Sequence, residues 1–399
     1  MHDIETGSEL NRKIALLGST GSIGTNTLDI IRKNPDKFSI VSLACGNNLE
    51  MIRSQIREFH PAVASISSKK DRDILVTEFP ETKIYSGSEG LMEVAMANGV
   101  DTVVTATSGS HSINATLEAI KEGHRICLAN KETLVVAGEL VNKYLSDFGS
   151  EIIPIDSEQS AIFQCISENS RKYLKKVILT ASGGPFFKLD VEDFENIKIK
   201  DALNHPVWSM GEKITIDSST LMNKALEIIE AFYLFELNED QIDLLIHPQS
   251  IIHSMVEFVD NSVLSQMGIP DMKIPIQYSL SYPDRFESNT EKLELDKISK
   301  LEFFKADKEK FPSIKMAFEV LNEKNNSGLI LNASNEVAVE SFMSGEIQFT
   351  GIFHVVRNML DSCDIIPIQS ADEIFIMIED VKRNTREFIK ENRNKWSRK

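Results

Sequence analysis

The alternation of short apolar runs with amphipathic stretches, which starts at Arg12, constrains the fold of this chain most strongly. The runs "KIALLGS", "FSIVSLAC", "PAVASIS", "DTVVTAT" and "HRICLAN" are strand-like, and segments such as "SINATLEAIKEG" between them have helical periodicity. Strands that alternate with helices of this length predict βαβ units and a parallel sheet. We place the last strand of this region in "EIIPIDS", near residue 156.

The chain beyond residue 156 shows three further patterns. A second α/β region over 157–284 contains "LLIHPQSIIHSMVEFVDNSVLSQMG", whose alternating strands indicate an antiparallel hairpin or meander. Residues 285–311 are polar and weakly periodic, which is typical of a linker. Residues 312–399 are helical in pattern almost throughout, which predicts a C-terminal helical bundle.

Composition and charge exclude several classes of function. The 399 residues carry a net charge of −17, so a general nucleic-acid partner or docking on anionic lipid is not expected. No apolar run approaches the roughly 20 residues of a membrane span. The polar, acidic start and four cysteines without paired spacing favour neither a signal peptide nor disulfides, and we expect a cytoplasmic protein.

A glycine-rich loop, "GSTGSIG", follows the first predicted strand and opens the first helix. Glycines at 18, 21 and 24 allow a tight turn and close approach of a pyrophosphate, and the helix N-terminus supplies N–H donors. The spacing predicts dinucleotide binding by a Rossmann-like domain over 12–156, and a purely structural turn is the alternative.

The end of the second strand bears on the choice of dinucleotide. NAD enzymes usually place a carboxylate there for the ribose 2′-hydroxyl. This chain has Gly46, Asn47 and Asn48 instead. The absence of the carboxylate favours NADP.

Two neighbouring acidic residues, Asp156 and Glu158, follow the last strand of the first region. In an extended segment they would point to the same side, where like charges repel. A bound cation, a shared proton or plain solvent exposure would each account for the pair.

A third carboxylate is predicted on the helix after "KITIDSST". Asn223 and Lys224 stand four and three residues before Glu227, so the three side chains lie on neighbouring faces. Together with Asp156 and Glu158, Glu227 would form an all-oxygen site suited to Mg²⁺ or Mn²⁺. A solvated acidic turn and an ordinary Lys–Glu pair are the alternative.

Histidines and a glycine turn add further candidates. His205 lies in "NHPVWSMG", a loop whose Trp208 either covers a substrate as a lid or anchors the loop to the core. His247 and His253 stand at strand boundaries, where a structural role is the usual one. Ser182 in "TASGGP" follows a strand and suits an anion-binding turn.

Taken together, these segments resemble the 1-deoxy-D-xylulose 5-phosphate reductoisomerases, over nearly the whole chain from Arg12. The resemblance rests on eight motifs: "GSTGSIG", "LANKETLV", "PIDSEQSAIFQ", "SGGPF", "HPVWSMG", "DSSTLMNKALEIIEA", "LIHPQSIIHSMVEF" and "LNASNEVAVESF".

The resemblance implies roles for individual residues. Asp156, Glu158 and Glu227 match the metal carboxylates of the family, and Lys131, Glu158 and His205 are the candidate catalytic residues. The positions that match its substrate contacts are Lys131, Ser157, Glu158, Ser182, His205, Ser218, Asn223, Lys224 and Glu227. Those that match its NADPH contacts are Thr20, Gly21, Ser22, Ile23, Gly46, Asn47, Asn48, Asn130, Glu132 and Gly211.

The implied activity is the rearrangement and NADPH-dependent reduction of 1-deoxy-D-xylulose 5-phosphate to 2-C-methyl-D-erythritol 4-phosphate by a homodimer, assisted by a divalent metal. Some members of the family have a lysine where this chain has Asn47, which changes how the 2′-phosphate of NADPH is held. Another NADP-dependent dehydrogenase and a non-catalytic nucleotide sensor are the alternative functions.

Overall fold

The structure of the protein, a computed structural model, describes residues 10–208 and 211–392. These residues form two compact units. The first unit contains the described residues up to Thr133, together with Lys143–Ser160 and Asp271–Thr290. The second unit contains Leu134–Asn142, Ala161–Pro270 and the chain from Glu291 onward.

The first unit is built on a seven-stranded parallel sheet in the order β4-β3-β2-β1-β5-β6-β7. Its strands are β1 (Arg12–Leu17), β2 (Phe38–Cys45), β3 (Val63–Ile66), β4 (Lys83–Ser86), β5 (Thr102–Thr105), β6 (Arg125–Leu128) and β7 (Ile152–Pro154). The helices that begin in this unit are α1 (Ser22–Lys33), α2 (Leu49–Phe59), α3 (Lys69–Glu78), α4 (Gly87–Ala95), α5 (Ile113–Lys121), α6 (Glu132–Phe148), α7 (Ser157–Cys165) and, later in the chain, α12 (Lys273–Ser281). The parallel sheet predicted from the alternation is therefore confirmed.

Strand β1 lies at the centre of this sheet because its apolar residues are covered on both faces. Ile14, Leu16 and Leu17 are fully buried. The strand pairs with β2 on one side and with β5 on the other, so the strand order reverses at β1. Ligands of doubly wound sheets bind outside the carboxyl ends of the strands at such a reversal point.

Two glycines of the loop after β1 are required by close packing. Gly18 has φ +95°, and a Cβ there would lie 2.4 Å from the carbonyl oxygen of Ala106. A Cβ on Gly24 would lie 2.2 Å from the carbonyl oxygen of Gly18. A Cβ on Gly21 would approach the same oxygen only to 3.5 Å, an ordinary contact. The chain folds back on itself at Gly18 and Gly24, whereas a Cβ at Gly21 would make only ordinary contacts.

The second unit contains a five-stranded mixed sheet in the order β11-β10-β8-β9-β12. Its strands are β8 (Leu174–Ala181), β9 (Ile242–Ile246), β10 (Ile252–Phe258), β11 (Val263–Met267) and β12 (Phe304–Lys305). The helices before the C-terminal region are α8 (Glu168–Arg171), α9 (Ile199–Ala202), α10 (Glu212–Ser219) and α11 (Met222–Leu234). Strands β10 and β11 form the antiparallel hairpin that the alternation predicted.

Four helices complete the second unit and confirm the predicted C-terminal helical region as far as residue 392. They are α13 (Pro312–Glu323), α14 (Ser327–Met343), α15 (Phe349–Ser362) and α16 (Ala371–Glu391). Phe349 is fully buried at the start of α15. Its ring centroid lies 5.2 Å from that of Phe186 and 5.6 Å from that of Phe194. This aromatic cluster packs the helical region against the segment that follows β8.

The segment 285–311 contains more structure than the linker interpretation suggests. Phe304–Lys305 pairs with Leu245–Ile246 as the edge strand of the second sheet. The division of the chain at 156, 284 and 311 stays a prediction. Among the described residues, no helix combines the length and hydropathy that a membrane crossing requires.

Replacement of Gly24 by alanine tests the packing of the loop after β1. We expect Gly24→Ala to lower the free energy of unfolding by about 2 kcal/mol, because backbone must move to admit the methyl group. Gly21→Ala, the matched control, should cost less than about 1 kcal/mol. Urea unfolding followed by circular dichroism measures both, and equal losses would contradict the packing argument.

Candidate active site

An ion pair between Lys131 and Asp156 joins the ends of two neighbouring strands in the first unit. Lys131 follows β6, and Asp156 follows β7, which pairs with β6. Lys131 Nζ lies 2.5 Å from Asp156 Oδ2, and the two side chains are only 8% and 11% exposed. The lysine therefore offsets the charge of a carboxylate that is largely removed from water.

Glu158 lies in a helix and not in the extended segment that the sequence suggested. Strand β7 ends at Pro154 and α7 begins at Ser157, so Glu158 lies in the first turn of a helix. Asp156 and Glu158 therefore do not lie on one face of an extended strand, and the prediction from strand alternation is wrong for this pair. Ser157 Oγ donates a hydrogen bond to Glu158 Oε2, which fixes the orientation of the carboxylate. An acidic residue in a first helical turn is also favoured by the helix dipole.

Asn130 braces the loops after β5 and β6. Its Nδ2 donates to the carbonyl oxygens of Thr107 and Gly109, both at 2.7 Å. Its Oδ1 accepts from the backbone N–H of Thr133 at 3.1 Å and from Thr133 Oγ1 at 2.8 Å. All four hydrogen-bonding positions of the amide are thus used, and the side chain is 1% exposed. The side-chain amide of Asn130 therefore has no hydrogen-bonding position left for a ligand.

The residues Thr20 to Ile23 follow β1 and open α1, where N–H groups of the first turn are free of intrahelical partners. A buried pair that the sequence analysis missed holds this loop in place. Ser19 Oγ donates to Gln55 Oε1 at 2.7 Å, and Gln55 Nε2 donates back to the carbonyl oxygen of Ser19 at 2.9 Å. Gln55 belongs to α2 and is 36 residues away in sequence, so no local pattern could reveal the pair.

Gly46, Asn47 and Asn48 lie at the carboxyl end of β2 and are exposed. Asn48 is the N-cap of α2, and its side chain accepts a hydrogen bond from the N–H of Met51 at 3.1 Å. The position at which NAD enzymes usually carry a carboxylate is thus taken by neutral side chains. Of the other predicted cofactor contacts, Glu132 begins α6 and Gly211 is the exposed N-cap of α10.

A buried polar cluster on α11 lies in the second unit. Asn223 Nδ2 donates to Glu227 Oε1 at 2.5 Å, and Lys224 Nζ is paired with Glu227 Oε2. Glu227 is 1% exposed and Lys224 is 3% exposed. The spacing of three and four residues brings these side chains together, as predicted. Leu226 and Ile229 are buried in the core and fix the rotation of the helix.

His205 is held as a neutral ring with a defined tautomer. Its Nδ1 accepts hydrogen bonds from the backbone N–H groups of Val207 at 3.1 Å and Trp208 at 2.8 Å. The ring proton must therefore be on Nε2, which lies 3.1 Å from Ser182 Oγ and donates to it. Burial lowers the pKa of His205 and favours the same uncharged form.

Ser182 receives two hydrogen bonds and keeps its own proton for donation. Its Oγ accepts from the Nε2–H of His205 and, at 3.2 Å, from the backbone N–H of Gly184. Gly184 has φ +64°, and a Cβ there would lie 2.6 Å from the carbonyl oxygen of Ser218. The turn after β8 thus packs closely on the end of α10, which brings Ser182 near Ser218. Hydroxyl donors of this kind suit an anion.

The two other candidate histidines, His247 and His253, have different surroundings. His247 is fully buried, its Nδ1 lies 2.9 Å from the carbonyl oxygen of Glu302, and its ring stacks on Phe303 at 4.8 Å. This is the structural role that the sequence suggested. The ring centroid of His253 lies 6.5 Å from that of Trp208.

The prediction of a mobile lid falls partly on Ser209 and Met210, which lie outside the described residues.

The buried ring of His253 makes stability depend on pH. Desolvation lowers the pKa of His253 to about 4. Between pH 6.5 and 4 the unfolded chain therefore binds more protons than the folded chain, and stability is lost as the pH falls through this window. The loss should reach about 2–3 kcal/mol at pH 4.

We expect His253→Gln to reduce that loss by about 2 kcal/mol, because glutamine does not titrate. His111→Gln, at an exposed position, is the control and should leave the pH profile unchanged. Urea unfolding at several pH values measures the effect. A profile for His253→Gln that is as steep as that of the unmodified protein would show that the buried ring is not responsible.

Three family models match the chain in succession. Residues 14–138 match 1-deoxy-D-xylulose 5-phosphate reductoisomerase, residues 152–235 match the C-terminal domain of that enzyme, and residues 267–386 match a further DXP reductoisomerase C-terminal domain. Together the matches span both units.

Curated relatives bear the same name. The 1-deoxy-D-xylulose 5-phosphate reductoisomerase of Shouchella clausii is 48% identical over 365 residues, which cover 91% of this chain and 96% of the relative. That of Thermodesulfovibrio yellowstonii is 44% identical over 363 residues, which cover 91% of this chain and 95% of the relative.

Solved structures of the enzyme have the same fold. The reductoisomerase of Zymomonas mobilis in complex with NADPH has a TM-score of 0.90 at 35% identity, covering 95% of this chain and 99% of its own. A reductoisomerase in complex with NADPH, fosmidomycin and magnesium has a TM-score of 0.90 at 40% identity, covering 95% and 98%. The chain therefore belongs to the 1-deoxy-D-xylulose 5-phosphate reductoisomerase family.

Proposed function

We infer that this protein converts 1-deoxy-D-xylulose 5-phosphate to 2-C-methyl-D-erythritol 4-phosphate in non-mevalonate isoprenoid biosynthesis, with NADPH as reductant and a divalent cation. The observation that carries the inference is the match of 91–95% of the chain to relatives of one family at 42–48% identity. The other NADP-dependent dehydrogenases and the nucleotide sensor considered from the sequence have no comparable support.

NADPH is held, in this proposal, at the carboxyl edge of the parallel sheet. The N–H groups at Thr20 to Ile23 and the dipole of α1 favour the pyrophosphate. Gly21 leaves room for close approach, since a Cβ there meets no protein atom closer than 3.5 Å. Neutral side chains at Gly46–Asn48 accept a phosphorylated ribose without charge repulsion. Asn130, Glu132 and Gly211 complete the proposed contacts, with Asn130 acting through its backbone.

The proposed metal ligands are Asp156, Glu158 and Glu227. All offer carboxylate oxygens, the donor type that Mg²⁺ and Mn²⁺ prefer over the nitrogen and sulfur ligands of zinc. Relatives have been solved with magnesium. A bound divalent cation supplies Lewis acidity toward the oxygens of the substrate. A divalent cation would add to the positive charge that Lys131 and Lys224 already place beside Asp156 and Glu227.

The substrate phosphate is bound, in this proposal, by donors of the second unit. Ser182, Ser218 and Asn223 offer neutral donors, and Lys224 supplies positive charge. His205 remains neutral and orients Ser182, whose hydroxyl proton points to the anion. Binding energy from the phosphate, which does not react, can then orient the reacting carbons.

Proton transfer is assigned to the first unit. Lys131 and Glu158 are the proposed catalytic groups near the reacting oxygens, and Ser157 positions the Glu158 carboxylate by its hydrogen bond. Lys131 is 6% exposed, so a proton that it holds is shielded from bulk water. We propose further that the loop with His205 and Trp208 closes over the substrate and excludes water from the reactive intermediate.

We also propose boundaries for the domains. Residues 12–156 form the NADPH-binding domain, 157–284 the catalytic domain, 285–311 a linker and 312–399 the helical bundle.

Free thiols at the four cysteines suit a reducing compartment, and we propose that the protein is cytoplasmic.

We propose that the protein is a homodimer that associates through the edge of the second sheet. Strand β11 is an edge strand with backbone groups free on one side. Val263 and Leu264 on this strand are 49% and 51% exposed, and Val259 beside it is 61% exposed. Apolar side chains on an open strand edge favour pairing with a second copy of the chain.

The activity is tested by NADPH absorbance at 340 nm with 1-deoxy-D-xylulose 5-phosphate and Mg²⁺ or Mn²⁺. We expect oxidation that requires both substrate and metal and that stops with EDTA. Glu227→Gln should lower kcat/KM by at least about a hundredfold. Glu340→Gln, an exposed glutamate of α14, is the control. Turnover that survives EDTA would instead indicate a metal-independent dehydrogenase.

The dimer is tested by light scattering after gel filtration. Leu264→Lys should shift the mass from two chains toward one, because a buried lysine at a strand edge opposes pairing. Ile376→Lys on α16, at a position that is 65% exposed, is the control. A monomeric unmodified protein, or a Leu264→Lys dimer as tight as the control, would rule out this interface.

A further inference from the structure

The junction between α10 and α11 carries three of the residues proposed to bind the phosphate, and it contains a strained residue. Ser218 lies at the end of α10, and Asn223 and Lys224 lie at the start of α11. Between them Leu221 has φ +54° and ψ +16°, a left-handed conformation that costs an ordinary residue about 1–2 kcal/mol. Such a junction keeps its geometry only if neighbouring structure holds it.

One contact that holds the junction comes from α14. Asn335 Nδ2 donates a hydrogen bond to Asp217 Oδ1 at 2.8 Å, across 118 residues of sequence. Asp217 immediately precedes Ser218, and its other carboxylate oxygen lies 2.8 Å from Lys213 Nζ. Asp217 is 1% exposed and Asn335 is 0% exposed. A buried carboxylate that loses a donor is strongly destabilised, so this bond fixes the last turn of α10.

A second, independent contact comes from α13. Ser313 Oγ donates to the carbonyl oxygen of Thr220 at 2.7 Å, and Ser313 is fully buried. Thr220 stands directly before Leu221, at the C-cap of α10. The bond satisfies a carbonyl that the end of a helix leaves without an intrahelical partner. The junction is thus tied to two helices of the C-terminal region, on both sides of Ser218.

We propose that Asn335 and Ser313 are positioning residues for the substrate phosphate, through which the C-terminal helices hold the α10–α11 junction in its binding geometry. The proposal rests on the proposed function and assigns part of the affinity for the phosphorylated substrate to residues that do not touch it. Hydrogen bonds from hydroxyl and amide donors weaken steeply when their distances and angles change. A small shift of Ser218 and Asn223 therefore weakens binding of the phosphate.

The chain offers a matched control for Asn335. Asn332 lies one turn earlier on α14, is 1% exposed and donates through Nδ2 to a carboxylate, Glu336 Oε1, at 3.1 Å. In both asparagines Oδ1 has no hydrogen bond to any residue that the structure describes. Asn335→Ala and Asn332→Ala therefore remove the same groups from the same helix, and only the first touches the junction.

The experiment measures NADPH oxidation in the full-length protein with saturating Mg²⁺. We expect Asn335→Ala to raise KM for 1-deoxy-D-xylulose 5-phosphate about tenfold, with KM for NADPH within about twofold of the unmodified protein. Asn332→Ala should leave both KM values within about twofold. Thermal unfolding of both variants separates this effect from a general loss of stability. Equal changes in the two variants, or no change in KM for the phosphorylated substrate, would overturn the proposal.

Ser313→Ala provides a second test that does not depend on the folding of the Asn335 variant. Its control is Ser334→Ala, which is also fully buried and, among the described residues, donates only to the carbonyl oxygens of Ile330 and Leu331 in its own helix. Ser313→Ala should raise KM for the phosphorylated substrate about threefold, with Ser334→Ala unchanged. If the unmodified protein does not oxidise NADPH with this substrate, the proposed function itself fails, and that result is distinct from the others.

Discussion

In each of the two units, a buried carboxylate among the candidate site residues keeps a positive partner. In the first unit Asp156 is paired with Lys131, and in the second Glu227 is paired with Lys224. Removing one member of such a pair typically costs about 3–5 kcal/mol, because the other charge is left without compensation in a medium of low polarity. The ends of β6 and β7 and the first turns of α11 are therefore fixed by electrostatics before any ligand binds.

Around these charges, the polar groups divide into those that support the structure and those that are available to ligands. Asn130 uses every hydrogen-bonding position of its side chain to join two loops. Ser19 and Gln55 are committed to each other in the same way. Ser182 is different, because the neutral ring of His205 donates to it and leaves its hydroxyl proton for an anion. Rigid support behind a few available donors is the arrangement that preorganises a binding site.

The sequence predicted what depends on local periodicity. The alternating runs gave the parallel sheet and the helical C-terminal region, and the spacing of Asn223, Lys224 and Glu227 placed those side chains together correctly. The position of Glu158 could not be predicted in this way, because β7 has only three residues and the chain turns into a helix directly after it. The bond between Asn335 and Asp217 joins residues 118 apart and follows from the packing of two helices. Its only sequence signal is the occurrence of polar residues on a helix that is otherwise apolar.

The left-handed conformation of Leu221 also limits how this part of the protein can evolve. Glycine would remove the backbone strain, but it would give up the burial of a side chain that is 3% exposed, and truncation of a buried leucine costs about 2–5 kcal/mol. A β-branched residue would keep the burial and increase the strain. Because either change loses stability, few substitutions are open at this position. Natural variation and thermal adaptation in this region are then directed to the residues around the junction, where packing can change without altering the backbone that presents the proposed phosphate donors.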